Sequence, residues 1–172
     1  MKLFPAEYSD SIYGYDFEGA YLKGKRLVLF DIDNTMVPHG APADGRSKEL
    51  IGRLKDRGFK LCAVSNNGEA RVRMFCDEVE VPYVFKAGKP LPSGFLKAVA
   101  DLGERTETAL FFGDQIFTDI LGANRAGITS VLVRPVDRST DEPHIRLKRV
   151  LERPVVICFF KHKKLAINEY FS

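Results

Sequence analysis

Apolar residues run along this chain in two rhythms. Short, mostly apolar runs occur at Arg26–Phe30 (apolar after its first residue), Phe59–Val64 (interrupted by Lys60), Pro82–Phe85, Ala109–Phe112 and Ile128–Val133 (interrupted by Thr129 and Ser130). Runs of four to six read as strands buried on both faces, as in a parallel sheet. Between them, apolar positions recur every three or four residues. Ser47–Arg57 carries Leu50, Ile51 and Leu54 among charges and stops at Gly58; Glu69–Val79 sets Val72, Phe75, Cys76 and Val79 on one face. Pro92 suits the first turn of a helix reaching Leu102 and ended by Gly103, and Ile116–Ala126 ends at Gly127. These are helix patterns with ordinary stop signals. Strands alternating with helices of this length predict an α/β fold, a central five-stranded parallel sheet flanked by helices.

Polar residues are concentrated where the strand patterns end. The first strand stops at Asp31, with Asp33, Asn34 and Thr35 close behind; the second stops at Ser65-Asn66. Lys89 follows the third, and Asp114 ends the fourth, with Asp119 after a short loop. In a parallel sheet these junctions share one edge, where open α/β sheets hold their ligands. Converging carboxylates repel unless a cation neutralises them, and a hard dication with oxygen ligands such as Mg²⁺ suits them. Carboxylates with Mg²⁺ suit a phosphoryl group, whose charge the metal screens. The hydroxyl and backbone amides at Ser65-Asn66 and the compact ammonium of Lys89 suit phosphate oxygens. His39 lies in a Pro/Gly-rich loop, Val37–Gly45, and reads as an ordinary loop residue.

Composition narrows the function classes. The 172 residues are 45% hydrophobic and 28% charged with a net charge of +3, which fits one globular domain and is too weakly basic to imply a nucleic-acid partner. The three cysteines are scattered without zinc spacing and read as thiols of a reduced compartment. None is followed six residues later by Arg, so a cysteine-based phosphatase is excluded. With no apolar leader and no run of roughly 20 apolar residues, the expected location is cytoplasmic.

DIDNT at 31–35, Ser65, Lys89 and GDQIFTD at 113–119 resemble the four motifs of the haloacid dehalogenase (HAD) superfamily. SNNGEARV at 65–72, KAGKPLPSGF at 86–95 and GDQIFTDILGANRAG at 113–127 are more narrowly similar to the YqeG-type phosphatases, relatives of phosphatidylglycerophosphatases. The resemblance covers about residues 25–135. It implies a Rossmann-like fold and an Mg²⁺-dependent phosphomonoester hydrolase working through a phosphoaspartyl intermediate. Asp31 would be the nucleophile and Asp33 the acid/base. Asp31, Asp33 (through its carbonyl), Asp114 and Asp119 would serve the metal. Ser65 and Lys89, helped by Thr35 and Asn66, would hold the phosphate. The alternatives are a phosphatase for a small metabolite or phosphoprotein and a non-catalytic phosphate-binding or signalling module; receiver domains place a similar residue set on a parallel sheet, but their phosphorylated Asp ends the third strand rather than the first.

Neither the Asp33–Ser65 nor the Ser65–Lys89 interval has room for the cap domain that many relatives carry. An open crevice is therefore expected, suited to a large substrate such as a phospholipid head group (phosphatidylglycerophosphate by resemblance) or a phosphoprotein, unless a second copy in a homo-oligomer supplies a lid. Residues 1–24 read as an arm with a short helix, 25–135 as the phosphatase core, and 136–172 as a basic and aromatic extension packed on it. In that extension Arg146, Lys148, Arg149 and Arg153 precede the run Val155–Phe160 and then Lys161, Lys163 and Lys164. The pattern predicts a helix and a strand packed on the core. The alternative is peripheral contact with an anionic membrane, with Phe159 and Phe160 inserted at the interface.

Overall fold

A computed structural model describes residues 3–165 and 170. Six strands, all parallel, form one sheet: β1 (Glu7–Ser9), β2 (Leu27–Phe30), β3 (Lys60–Val64), β4 (Tyr83–Val84), β5 (Ala109–Gly113) and β6 (Thr129–Val133). Their order across the sheet is β1-β6-β5-β2-β3-β4. The central strand β2 lies between β3 and β5, with Phe30 opposite Ala63 on one side and Phe112 on the other. The predicted parallel sheet is present with one strand more than expected. The extra strand is β1, whose Glu-Tyr-Ser carries no apolar run and pairs with β6 from Glu7 to Ser9.

The helices are α1 (Phe17–Leu22), α2 (Gly45–Arg57), α3 (Glu69–Val79), α4 (Ser93–Asp101), α5 (Leu121–Arg125) and α6 (Pro143–Lys163). Side chains of a strand alternate between faces, so β2 serves two cores. Val28 and Phe30 pack with Phe17 of α1, Leu50 and Leu54 of α2 and Phe75 of α3, while Leu27 and Leu29 pack with Phe95 and Ala98 of α4 and Ala123 of α5. Local chemistry fixes the ends of these helices. Asp44 and Ser47 form a reciprocal capping box at the start of α2, and Gly58 closes it at φ +95°, a left-handed conformation that favours glycine. The predicted helix over 116–126 is divided: Ile116–Ile120 is one wide π turn that continues into α5.

The carboxyl-terminal region departs from expectation. Val155–Phe160 is not a strand but part of the single 21-residue helix α6. Phe159 and Phe160 are each 1% exposed, packed with Val156 against Ile116, Ile120 and Leu132, so their rings are not free to enter a lipid interface. Helical spacing explains this, because 152, 156, 159 and 160 share the inner face. The outer face carries Leu147, Val150, Leu151 and Ile157, all exposed. No helix among the described residues is long and apolar enough to cross a membrane. The parts of the expected extension at 166–169 and 171–172 lie outside the described residues.

Candidate active site

The sheet brings the motif residues to one edge. Asp31 directly follows β2 and its N–H donates to Phe112 O at 2.9 Å, continuing the ladder. Ile32, fully buried, turns into the core between the two acids. The chain then folds back sharply: Asn34 sits at φ +60°, which Asn tolerates better than most residues, and its N–H donates to Val37 O at 2.8 Å. Ser65 follows β3, its N–H bonded to Val84 O. Lys89 is held by Asn66, whose Oδ1 accepts from the Lys89 N–H at 2.7 Å and whose Nδ2 donates to the Lys89 carbonyl at 3.0 Å.

Asp119 reaches the same edge because β5 ends in glycine. A Cβ on Gly113 would lie 2.5 Å from Asp119 Cβ, an impossible contact, so only glycine lets the π turn fold so closely over the strand end. The Gln115 N–H donates to Asp119 Oδ2 at 3.1 Å and fixes its orientation. Such π turns recur at functional sites because they displace one side chain relative to a regular helix.

Asp31, Asp114 and Asp119 offer carboxylate oxygens within 4.8 Å of one another, all buried. Lys89 Nζ lies between two of them, 2.6 Å from Asp31 Oδ1 and 2.7 Å from Asp119 Oδ1. Burial pushes the Asp31 carboxyl up to about 8; Lys89 opposes this, while Asp119 and Asp114 add repulsion. Asp114 is pushed up to about 6, again by burial, with Arg149 opposing. Burial would lower the Lys89 ammonium, but the charges of Asp119 and Asp31 outweigh it and raise it. The group at this edge is thus short of positive charge even with Lys89 and Arg149 in place. Its donors are all hard oxygens at close quarters, which fits a divalent cation of the Mg²⁺ type.

Asp33 is set apart from the triad. Its Oδ1 accepts from Arg71 Nη2 at 2.8 Å and from the Gly40 N–H at 2.8 Å, and its Oδ2 accepts from Asn67 Nδ2 at 2.5 Å. His39 Nδ1 lies 3.8 Å from the same carboxylate. Thr35 is buried, with Oγ1 3.5 Å from Asp114 Oδ1, and does not line the cavity at this edge. Of the residues expected to hold phosphate, Ser65, Asn66 and Lys89 line a cavity of about 110 Å³ together with Asp31 and Asp33. Its outer wall is His39, Gln115, Thr118 and, from α6, Ile145 and Lys148. The crevice is therefore bounded by a helix on a side where the sequence reading left it open.

Several of these neighbours escaped the sequence reading. Arg149 of α6 donates from Nη2 to Asp114 Oδ2 at 2.5 Å, and its Nε bonds Asp141. Asn34 Nδ2 donates to Asp141 Oδ1 at 2.7 Å, tying the loop after β2 to the segment before α6. Asn67 and Arg71 lie inside the SNNGEARV string, two and six residues after Ser65, and that proximity is an available signal. Arg149 and Lys148 had none beyond belonging to a basic tail.

Comparison with known proteins gives the family. Residues 40–127 match the model of the haloacid dehalogenase-like hydrolase family. The chain is 35% identical over 153 residues to the probable phosphatase YqeG of Bacillus subtilis, covering 88% of each protein. It is also 36% identical over 91 residues to a glyceraldehyde 3-phosphate phosphatase of Methanopyrus kandleri, covering 48% of this chain and 39% of that one. Among solved structures, the deoxy-D-mannose-octulosonate 8-phosphate phosphatase of Haemophilus influenzae superposes with a TM-score of 0.53 at 12% identity, over 65% of this chain and 70% of the other. YfnB of Bacillus subtilis, a HAD hydrolase, superposes at 0.51 and 16% identity, over 70% and 91%. These two likenesses speak for the fold alone. The chain belongs to the haloacid dehalogenase-like hydrolases and, within them, to the YqeG-type phosphatases.

Proposed function

We propose that the chain hydrolyses phosphomonoesters with Asp31 as nucleophile and Mg²⁺ as cofactor. The observation that carries this is the Asp31 carboxylate held 2.6 Å from Lys89 Nζ beside the buried Asp114 and Asp119. Asp31 Oδ attacks phosphorus, and the ester oxygen leaves with a proton from Asp33. Asp33 then takes a proton from water, which attacks the phosphoaspartyl group, releasing phosphate and restoring Asp31. Ser65, Lys89 and the amides around Asn66 hold the phosphoryl oxygens, with Asn66 acting mainly through the Lys89 backbone. Thr35 acts through Asp114 rather than on the phosphate. Asp31, the Asp33 carbonyl and Asp114 would hold the cation, with Asp119 orienting Lys89 from behind. When bound, Mg²⁺ screens the phosphoryl charge from the incoming carboxylate.

The proposed substrate is a phospholipid head group such as that of phosphatidylglycerophosphate, met at a membrane surface from the cytoplasmic side. The exposed Leu147, Val150, Leu151 and Ile157 on α6, flanked by Lys and Arg, replace the buried phenylalanines as the contact. A soluble phosphoester is the second reading, favoured by the small walled cavity. Release of p-nitrophenol from p-nitrophenyl phosphate tests the reaction. Turnover that needs Mg²⁺, stops with EDTA and is lost in Asp31→Asn is expected; turnover surviving in Asp31→Asn would remove Asp31 as nucleophile.

A further inference from the structure

The cations around this site differ in one respect. Lys89 is taken by Asp31 and Asp119, Arg71 by Asp33, and Arg149 by Asp114 and Asp141. Lys148 is not. It lines the cavity from α6, is only partly exposed, and among the described residues its ammonium has no hydrogen-bond or ion-pair partner. It also enters from the helix side, whereas Ser65 and Lys89 enter from the strand ends.

We infer that Lys148 is a specificity residue that receives a second anionic group on the leaving-group side of the substrate. This rests on the phosphomonoesterase reading and narrows it to phosphomonoesters with a further phosphate or carboxylate a few bonds from the ester. The placement follows from the walls. Phosphoryl oxygens are met at the strand ends by Ser65, Lys89 and backbone amides, so the departing alcohol must extend toward His39, Gln115, Ile145 and Lys148. Ile145 gives that exit one apolar surface, and Lys148, one turn further along α6, gives it its uncommitted charge. A partly desolvated ammonium without a carboxylate partner gains most from an anion the substrate brings. Lys148 touches neither the nucleophile nor the acid/base, so its effect belongs to recognition.

The test compares two three-carbon phosphoesters, glycerol 3-phosphate and 3-phosphoglycerate, which differ by a hydroxymethyl against a carboxylate. Wild type should favour 3-phosphoglycerate in kcat/KM. Lys148→Ala should lower kcat/KM for it about tenfold, largely through KM, and leave glycerol 3-phosphate within about twofold. Lys148→Arg should restore most of the difference. A parallel arm uses the glycerophosphoglycerol phosphate head group, with one phosphodiester and one terminal phosphomonoester, free in solution and as phosphatidylglycerophosphate in neutral phosphatidylcholine vesicles. A selective loss with the free head group assigns a soluble source, and a loss confined to the vesicles a lipid one. Calorimetry of both three-carbon esters with Mg²⁺ on the Asp31→Asn chain, with and without Lys148→Ala, reads recognition without turnover. If the two esters bind alike there, or if Lys148→Ala weakens both equally, Lys148 does not read a second anion. A chain that binds selectively but releases no phosphate would instead overturn the hydrolase reading and leave this one standing.

Discussion

Two halves meet at Asp114. From the sheet come Asp31, Asp119 and Lys89, a buried knot in which the lysine side chain is 3% exposed. From α6 come Arg149 and Lys148, carried by a helix whose apolar inner face packs on Ile116, Ile120 and Leu132. The first half is assembled by hydrogen-bonded strands whose register cannot slip without turning every side chain over. The second half depends on how well one helix seats. Groups proposed to react thus stand on the rigid part, and groups proposed to recognise stand on the part that can be altered separately. That division is expected where chemistry needs positioning to fractions of an ångström and substrate choice does not.

The strongest way to break the sheet half is Lys89→Met. It leaves Asp31 and Asp119 facing each other without their shared cation. Removing one partner of a buried ion group typically costs about 3–5 kcal/mol of stability. Loss of the group proposed to hold both nucleophile and phosphate should lower kcat/KM by about 10²–10³-fold. Denaturant melts with and without Mg²⁺ separate the two effects, since added Mg²⁺ should recover stability and not turnover. A variant with turnover within tenfold of wild type would show that Lys89 is only structural.

Phe160→Ala attacks the other half. The ring is fully buried, with its centroid 4.8 Å from that of Tyr8 and 5.6 Å from that of Phe159. Truncating such a side chain costs roughly 3–5 kcal/mol. If α6 seats independently, amide exchange should quicken in 143–163 while β2, β3 and β5 keep their protection. Uniform loss of protection across the sheet would mean that the two halves fold as one unit and that their separation is only geometric.

The sequence was legible where structure is local and illegible where a distant surface decides. Leu27–Phe30, Leu61–Val64 and Ala109–Phe112 announce buried strands through contiguous apolar residues, and the acids at their ends follow without knowledge of the fold. Val155-Val156-Ile157 after Pro154 offers β-branched residues behind a helix breaker, which argues for a strand. It is helical because Val156, Phe159 and Phe160 then share one face over Leu132, and packing outweighs propensity. Pro154 lies on the exposed side, where its ring meets solvent and only a helix hydrogen bond is forgone. β1 was hidden for the opposite reason, because an edge strand buried mainly by pairing needs no apolar run. Arg149 could not be found from sequence, since its contact with Asp114 spans 35 positions and depends on α6 being a helix.

The smallest expected effect isolates a charge inside the helix seat. Glu152 is 3% exposed on the inner face of α6, and its Oε1 accepts from the Phe117 N–H at 2.8 Å. Burial pushes its carboxyl up to about 7; the Phe117 N–H opposes this, and Asp114 adds repulsion. A folded-state value above the unfolded one means that the folded protein retains a proton the unfolded chain has released. The resulting stabilisation is complete below about pH 4.5 and is lost as pH rises through about 7. The swing is on the order of 3 kcal/mol at full ionisation. Gln in its place cannot ionise and still offers Oε1 to Phe117. Glu152→Gln should therefore melt with wild type at pH 5 and roughly 5–10 °C above it at pH 8. Taking the difference between the two melting curves removes most of the contribution of Asp31 and Asp114, whose raised carboxyls bend both curves in the same direction. An offset that stays constant from pH 5 to pH 8 would mean that Glu152 is ionised throughout, and that the seat of α6 tolerates a buried charge.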